Sequence, residues 1–542
     1  MSQTDKTRWA VDSLVVGQGS FFSNGWVASP TEDVLELNMT VRYVNGEVEV
    51  LTAQFGLIRE DVAKAFTDLE AACGYVVHAT LNHQGRIAAV TLQALMSGGG
   101  LQVWECPIAH DLASSAFGDA QTSTLPWRRL LRDGLRVPQM VLTGKWSALW
   151  TGAKNRWRWL RPRDADANEL LKVLQGFNTD AVLIVDHSLG GGANLFRERQ
   201  VQKYLNAGRS VAVWTFVPYL LQYELRLKSA LGAAEICYAV SLEAWMTMAN
   251  SKRFSALDFN NCVGFPRQEE IGAMLVAFKN ASGAKLSFYL HDYHMVCPSH
   301  FLLNDAGKFC GLPDVDKCRT CLPNIQENLA NLFAAKDIDL WRDRWASALD
   351  HADNLVYFSG STRQLFTKAY PLLREDQWLL RPHEIPAYKG CFSYPKDLAS
   401  FRVGVVGHIG PAKGSEVVVS LARHAKRIGA DLEIIVIGTL ESTTDELPIR
   451  TTGHYKHAEL SGLINQYQLH MALMPSVVPE TFSYVTHELM QLGVPIMCFD
   501  LGAQAEVVRP YAKGCVVPFS SPEQLWMRIQ EFKRTLENQN LA

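Results

Sequence analysis

The sequence predicts an α/β protein of two Rossmann-like lobes preceded by a small all-β sandwich. Three observations predict it. Short segments alternate apolar and polar residues up to about residue 110, strands alternate with helices from Ala181 onward, and that alternation restarts after a proline-bearing stretch near 382–400. At 542 residues the chain is too long for one core, and domains of about 100 to 200 residues imply three.

Composition narrows the class. Hydrophobic residues make up 48% and charged residues 20%, with a formal net charge of -3, so nothing global points to a nucleic-acid partner. No apolar run approaches the roughly 18 to 20 residues that span a bilayer, and the polar start Met1-Ser2-Gln3-Thr4-Asp5-Lys6 lacks a signal-peptide core; a cytoplasmic location is expected. Eleven cysteines, spread thinly, argue against a disulfide framework.

The first expected domain, 1–125, is a β-sandwich. Val34-Leu35-Glu36-Leu37-Asn38-Met39-Thr40-Val41 and Gly85-Arg86-Ile87-Ala88-Ala89-Val90-Thr91-Leu92 alternate, with Asn45-Gly46 as a hairpin turn between strands. Residues 126–177 form a connector in which Arg128, Arg129, Arg132, Arg136, Lys145, Lys154, Arg156, Arg158, Arg161 and Arg163 interleave with Trp127, Trp146, Trp150, Trp157 and Trp159. Two readings stand. The segment is a linker whose tryptophans pack on neighbouring lobes, or 126–163 is a peripheral membrane contact, since indole favours the interface and each cation gains about 1 kcal/mol near anionic lipid.

The lobe expected over 178–385 opens with Ala181-Val182-Leu183-Ile184-Val185, then Asp186-His187-Ser188-Leu189-Gly190-Gly191-Gly192 and a helix to Asn206. Further strands are expected at Ser210–Trp214, Lys285–Leu290 and Asn354–Phe358. The lobe expected over 400–530 starts with the strand Arg402–Gly407, a helix from Ser415 to Ile428 and the strand Leu432–Gly438. A last helix from Ser521 to Glu537 runs into an expected tail, 531–542. Two doubly wound sheets in succession predict a ligand cleft at the carboxyl ends of their strands.

The segment Met474 to Glu506 carries the most chemistry. It reads strand, loop, helix, strand, and a helix beginning near Ser483 would offer free N–H groups and a positive dipole end to a diphosphate. Glu480 precedes that helix and Glu488 lies inside it, so two carboxylates could accept hydrogen bonds from sugar and ribose hydroxyls. Here the sequence resembles family 4 of the retaining glycosyltransferases, whose Glu-x7-Glu signature matches Glu480 and Glu488. The resemblance implies that Glu480 contacts the donor sugar and Glu488 the nucleotide ribose, with Ser483 and Tyr484 offering backbone amides to phosphate.

Further residues extend the resemblance. Gly407-His408-Ile409-Gly410-Pro411-Ala412-Lys413-Gly414 occupies the place of the family's Arg-x4-Lys, so Lys413 would neutralise the leaving diphosphate. His408 stands where the family has arginine, either as a hydrogen-bond donor or as a plain turn residue. Gly191 and Gly192 resemble the family's glycine loop beside the donor phosphates; alone such a loop equally suits a dinucleotide enzyme, although Gly-x-Gly-x-x-Gly spacing is lacking. His291, after a strand end, matches a histidine that lies near the donor sugar, against the alternative of a structural histidine. Gly25-Trp26-Val27, Ile58–Ala63 and Cys73-Gly74-Tyr75 resemble a small sandwich module appended to bacterial polysaccharide glycosyltransferases.

Cys297, Cys310, Cys318 and Cys321 fall in one Gly- and Pro-bearing loop and could supply four sulfurs to a structural zinc, or remain free cysteines or a redox pair. The resemblance as a whole implies the GT-B fold and a nucleotide-sugar-dependent hexosyltransferase of the bacterial polysaccharide type, acting on a glycan or lipid-linked glycan. It also implies retention of anomeric configuration without a catalytic metal. If the basic segment meets lipid, the protein sits at the inner membrane face. Two rivals remain open: a catalytically inactive sugar-polymer binding or assembly protein, and a nucleotide-sugar epimerase.

Overall fold

The structure is a computed structural model that describes residues 7–17, 20–57, 62, 66, 68–82, 87–106, 163–164, 167–218, 222–230, 235–325, 331, 334–385, 387–388, 390–395, 400–442, 444 and 446–538. Its chain divides into two compact units, Met1–Leu286 with Glu327–Ala335, and Ser287–Gln326 with Lys336–Ala542.

The first unit opens with strands β1 (Arg8–Gly17), β2 (Ser20–Ala28), β3 (Val34–Tyr43), β4 (Val48–Thr52), β5 (Gln54–Leu57), β6 (Gly74–Thr80), β7 (Ile87–Met96) and β8 (Leu101–Cys106). They form two four-stranded sheets, β1-β2-β6-β5 and β4-β3-β7-β8, in which the pairings are antiparallel. Alternation decides which side faces in: along β7, Ile87, Val90, Leu92, Ala94 and Met96 are buried. They share a core with Phe21, Val27, Tyr75 and Val77 of the other sheet, which makes this β-rich module a two-layer structure. The hairpin between β3 and β4 turns at Asn45-Gly46, where Gly46 has φ 90 and its N–H donates to the Tyr43 carbonyl at 3.0 Å.

Residues 107–162, which hold most of the basic Trp-rich segment, lie outside the described residues. Beyond them come β9 (Arg163–Asp164), α1 (Ala167–Gln175), β10 (Ala181–Val185), α2 (Gly191–Asn206), β11 (Val211–Val217), β12 (Gln222–Lys228), β13 (Ile236–Val240), α3 (Glu243–Asn250), β14 (Phe254–Phe259) and α4 (Gln268–Ser282). Strands β14, β10 and β11 are parallel, and every residue of β10 is buried, as a strand covered on both faces requires. An antiparallel extension, β11-β12-β13, lies outside the sequence expectation. It is a half-buried edge: Tyr223, Leu225 and Leu227 point inward between partly exposed Glu224, Arg226 and Lys228.

The boundary at Ser287 falls within β15 (Lys285–Tyr289), and the second unit goes on with α5 (Val315–Cys321), α6 (Ile338–Asp350), β16 (Asn354–Tyr357), α7 (Gly360–Ala369) and β17 (Trp378–Leu380), with β15, β16 and β17 parallel. It continues with β18 (Phe401–Ile409), α8 (Ser415–Ile428), β19 (Leu432–Leu440), β20 (Ile449–Thr451), α9 (Leu460–Gln466), β21 (Met471–Met474), α10 (Tyr484–Leu492), β22 (Ile496–Phe499), α11 (Gly502–Val508), β23 (Gly514–Val517) and α12 (Pro522–Asn538). Helix α12 therefore takes in residues 531–538 of the segment expected as a tail.

These last strands form a parallel sheet in the order β20-β19-β18-β21-β22-β23. Successive residues of β19 serve opposite faces. Ile434 and Val436 join a core with Val418, Leu421 and Ala422 of α8 and Trp526 and Ile529 of α12. Ile435 and Ile437 join another with Leu460 of α9, Leu489 and Leu492 of α10 and Val508 of α11. The order reverses direction between β18 and β21. Such a switch point opens a crevice at the carboxyl ends of the two strands, where α/β sheets take their ligands.

Candidate functional site

The chain leaves β18 at Ile409 and β21 at Met474, one on each side of the switch point. After β18, Gly410 is followed by a single 3-10 turn, Pro411–Lys413, whose Lys413 N–H donates to the Gly410 carbonyl at 3.0 Å. Gly414 closes the turn with φ 85, and a Cβ there would lie 2.0 Å from the Pro475 carbonyl oxygen, so only glycine allows the two loops to meet. The second loop is fixed to the first by the Val477 N–H, which donates to the Ala412 carbonyl at 3.1 Å.

This contact brings two expected site residues together. Lys413 Nζ lies 2.7 Å from Glu480 Oε1, while the carboxylate is nearly buried and the lysine is half-exposed. The pair is an ion contact without the alignment of a regular hydrogen bond. Glu480 is held from behind by α11: the Ala503 N–H donates to its carbonyl at 2.8 Å, and Gly502, with φ 60, leaves no room for a side chain beside its backbone.

Helix α10 begins at Tyr484 with Ser483 as its cap residue. Ser483 makes no side-chain cap; its hydroxyl accepts from the Thr486 hydroxyl at 2.8 Å, so its side chain does not satisfy the first-turn amides. Glu488 is buried one turn further on. His457 Nδ1 lies 3.5 Å from its Oε1, and burial together with the Glu488 charge raises the Tyr388 hydroxyl pKa well above its usual value. Tyr455 is pushed up to about 12 by burial, with Glu488 adding to the effect.

His291 follows β15, and its carbonyl accepts from the Thr481 hydroxyl at 2.7 Å, which ties it to the residue next to Glu480. His408 is engaged on both nitrogens, with Thr439 Oγ1 2.6 Å from Nδ1 and Glu441 Oε1 2.6 Å from Nε2. Glu441, which nothing in the sequence singled out, therefore sets an acidic group beside the Lys413 turn. Gly191 and Gly192 belong to the first unit, where they open α2 after Gly190, which has φ 91. Two further side chains lie outside the sequence expectation. His383 meets Tyr484, and Tyr388 meets Glu488 and His457; both follow β17 in an irregular stretch with no motif to mark it.

The four cysteines singled out for zinc lie among the described residues. Cys297, Cys310, Cys318 and Cys321 are neighbours, yet among the described residues no group of three or more His, Cys, Asp or Glu side chains is arranged to hold a metal ion. Burial pushes the Cys297 thiol up to about 12 and raises Cys310 and Cys321. Cys318 instead accepts a hydrogen bond from Arg342 Nη2 at 3.8 Å.

Residues 392–540 match the family described as Glycosyl transferases group 1. The match covers the carboxyl-terminal lobe alone, and the fold class is two Rossmann-like lobes, GT-B, preceded by a β-rich module. No curated protein matches the chain. Among solved structures, HepE of Anabaena in complex with UDP-glucose is 15% identical, with 67% of this chain and 90% of that one covered at a TM-score of 0.41. The lipopolysaccharide outer core galactosyltransferase WaaB is 11% identical over 66% and 90%, at 0.42. Sucrose-phosphate synthase from Thermosynechococcus elongatus is 14% identical over 65% and 89%, at 0.40.

Proposed function

We propose that this chain is a retaining hexosyltransferase that moves a sugar from a nucleoside-diphosphate donor to a glycan or lipid-linked glycan, as in bacterial surface-polysaccharide synthesis. The observation that carries the reading is the meeting of Lys413 and Glu480 at the switch point, 2.7 Å apart, with the α10 amino terminus a few residues on. A fixed cation and a row of backbone N–H groups suit a diphosphate, and a nearly buried carboxylate beside them suits a sugar hydroxyl.

In this reading the acceptor hydroxyl attacks the anomeric carbon on the face from which the phosphate departs. The new C–O bond forms as the bond to the phosphate oxygen breaks, and that oxygen takes the hydroxyl proton. Lys413 and the amides of Ser483 and Tyr484 stabilise the charge that develops on the leaving group. Glu480 orients the sugar, Glu488 receives the ribose hydroxyls, and His291 steadies the sugar from the other side. Because Lys413 and α10 supply the positive charge, the mechanism assigns no step to a metal.

The reading gives donor binding to the lobe 400–530 and acceptor binding to 178–385. The sandwich 1–125 is accessory, and the connector 126–177 either packs its tryptophans on neighbouring lobes or carries a peripheral membrane contact over 126–163. No helix among the described residues is long and apolar enough to cross a membrane.

The test is an assay of purified protein with UDP-, GDP- and dTDP-sugars and a panel of glycan acceptors, with and without EDTA, reading the product anomer by NMR. Transfer with retention that survives EDTA and disappears in Glu480→Ala supports the reading. Unchanged activity in Glu480→Ala, strict dependence on added manganese, or nucleotide binding without turnover would overturn it, the last in favour of a sugar-polymer binding protein.

A further inference from the structure

Three adjacent parallel strands, β15, β16 and β17, each deliver an aromatic or imidazole ring just past their carboxyl ends: His291, Phe358 and His383. The Arg381 N–H continues the β16-β17 ladder to the Tyr357 carbonyl at 2.9 Å, so the chain is held in register until two residues before His383. There the His383 ring packs against Phe358 at 4.0 Å and His291 at 5.6 Å between centroids.

The other side of the same ring meets the amino terminus of α10. Phe482 lies 4.7 Å and Tyr484 5.2 Å from it between centroids, and the Tyr484 hydroxyl is 2.7 Å from His383 Nδ1. Tyr484 is the first residue of α10, and Phe482 separates Thr481, which binds the His291 carbonyl, from Ser483. One imidazole thus touches the residue facing the sugar and the helix end facing the diphosphate.

We propose that His383 is a positioning residue for the transfer, holding the His291 ring and the first turn of α10 in one register so that the sugar and the leaving phosphate are aligned together. The proposal rests on the glycosyltransferase reading above. It follows from geometry. A ring fixed on four sides by Phe358, His291, Phe482 and Tyr484 transmits a displacement of any of them to the others, because close-packed rings have no slack to absorb it. Misplacing a reacting group by about 1 Å lowers a rate by on the order of a hundredfold. The effect should therefore fall on turnover more than on donor binding, since the phosphate contacts themselves survive.

The experiment compares the full-length wild type with His383→Ala, His383→Asn, Tyr484→Phe and the double variant His383→Ala/Tyr484→Phe, measuring kcat and donor KM by transfer and folding by thermal melt. His383→Ala is expected to lose between about tenfold and a hundredfold in kcat with KM changed less than about threefold. His383→Asn, whose amide can still pair with the Tyr484 hydroxyl, should recover a large part of the loss. The double variant should be little worse than His383→Ala, as coupled neighbours are not additive. Should His383→Ala fail to fold, Tyr484→Phe must carry a kcat loss of the same kind. An active wild type whose folded His383→Ala or Tyr484→Phe keeps kcat within about twofold, or whose single effects multiply in the double variant, overturns the positioning role alone. A wild type without turnover on any donor overturns the transferase reading and this proposal with it.

Discussion

Lys413 Nζ and Glu480 Oε1 lie 2.7 Å apart across the switch point between β18 and β21, so the two groups assigned to opposite ends of a sugar diphosphate are paired with each other. Donor binding must then exchange partners, with Lys413 turning to the phosphates and a sugar hydroxyl taking its place at Glu480. Lys413→Ala should lower kcat/KM by on the order of a hundredfold or more, as expected for loss of a charge aimed at the leaving group. Steady-state kinetics check this, and a loss below about threefold would remove Lys413 from the chemistry.

Gly502 predicts a different kind of defect. Its φ is 60, and a Cβ would stand 2.5 Å from the Glu480 backbone nitrogen. Gly502→Ala should therefore destabilise the fold by more than about 1 kcal/mol and displace Glu480, lowering both melting temperature and kcat. Thermal melts and assays on one preparation test whether the two fall together.

Tyr388 bears on donor affinity. Its phenol is hydrogen-bonded to Glu488, which is assigned to the ribose. Tyr388→Phe removes one hydrogen bond to a charged group, so donor KM should rise by roughly tenfold while kcat holds. A change confined to kcat would contradict the assignment of Glu488 to the ribose.

His470 sets an acid limit on stability. Burial is the main cause of its pKa being pushed down to about 4, and its Nδ1 accepts the Arg402 N–H at 3.0 Å, which requires the neutral ring. Between the usual histidine value near 6.5 and about 4 the unfolded chain binds the proton that the folded chain refuses. The stabilising contribution is therefore present above pH 6.5 and lost as pH falls through 4. Melting curves across that window should show the decline, and His470→Asn should flatten it.

How much of this was legible in the chain varies by residue. The start of α10 next to Ser483, the strand before Lys413 and the two-sided burial of β19 follow from local pattern, because continuous apolar runs and glycine-bearing loops are short-range signals. The β12-β13 extension could have been found from the alternation Gln222–Lys228. His383, Tyr388 and Glu441 could not, since each joins the site through partners 25 or more positions distant or through an irregular segment. The cysteine cluster is the opposite case. Its spacing suggests a metal site, whereas the burial of Cys297 and the Arg342 contact of Cys318 are not visible in spacing.

The most direct test of the account is calorimetric titration of UDP, GDP and dTDP into the wild type, Lys413→Ala and Glu488→Ala. The account predicts that one nucleotide binds the wild type at a single site, and that each substitution weakens it by about 1.5–3 kcal/mol, the worth of a charged hydrogen bond. A nucleotide bound equally well by all three proteins would contradict the convergence of these side chains on one diphosphate.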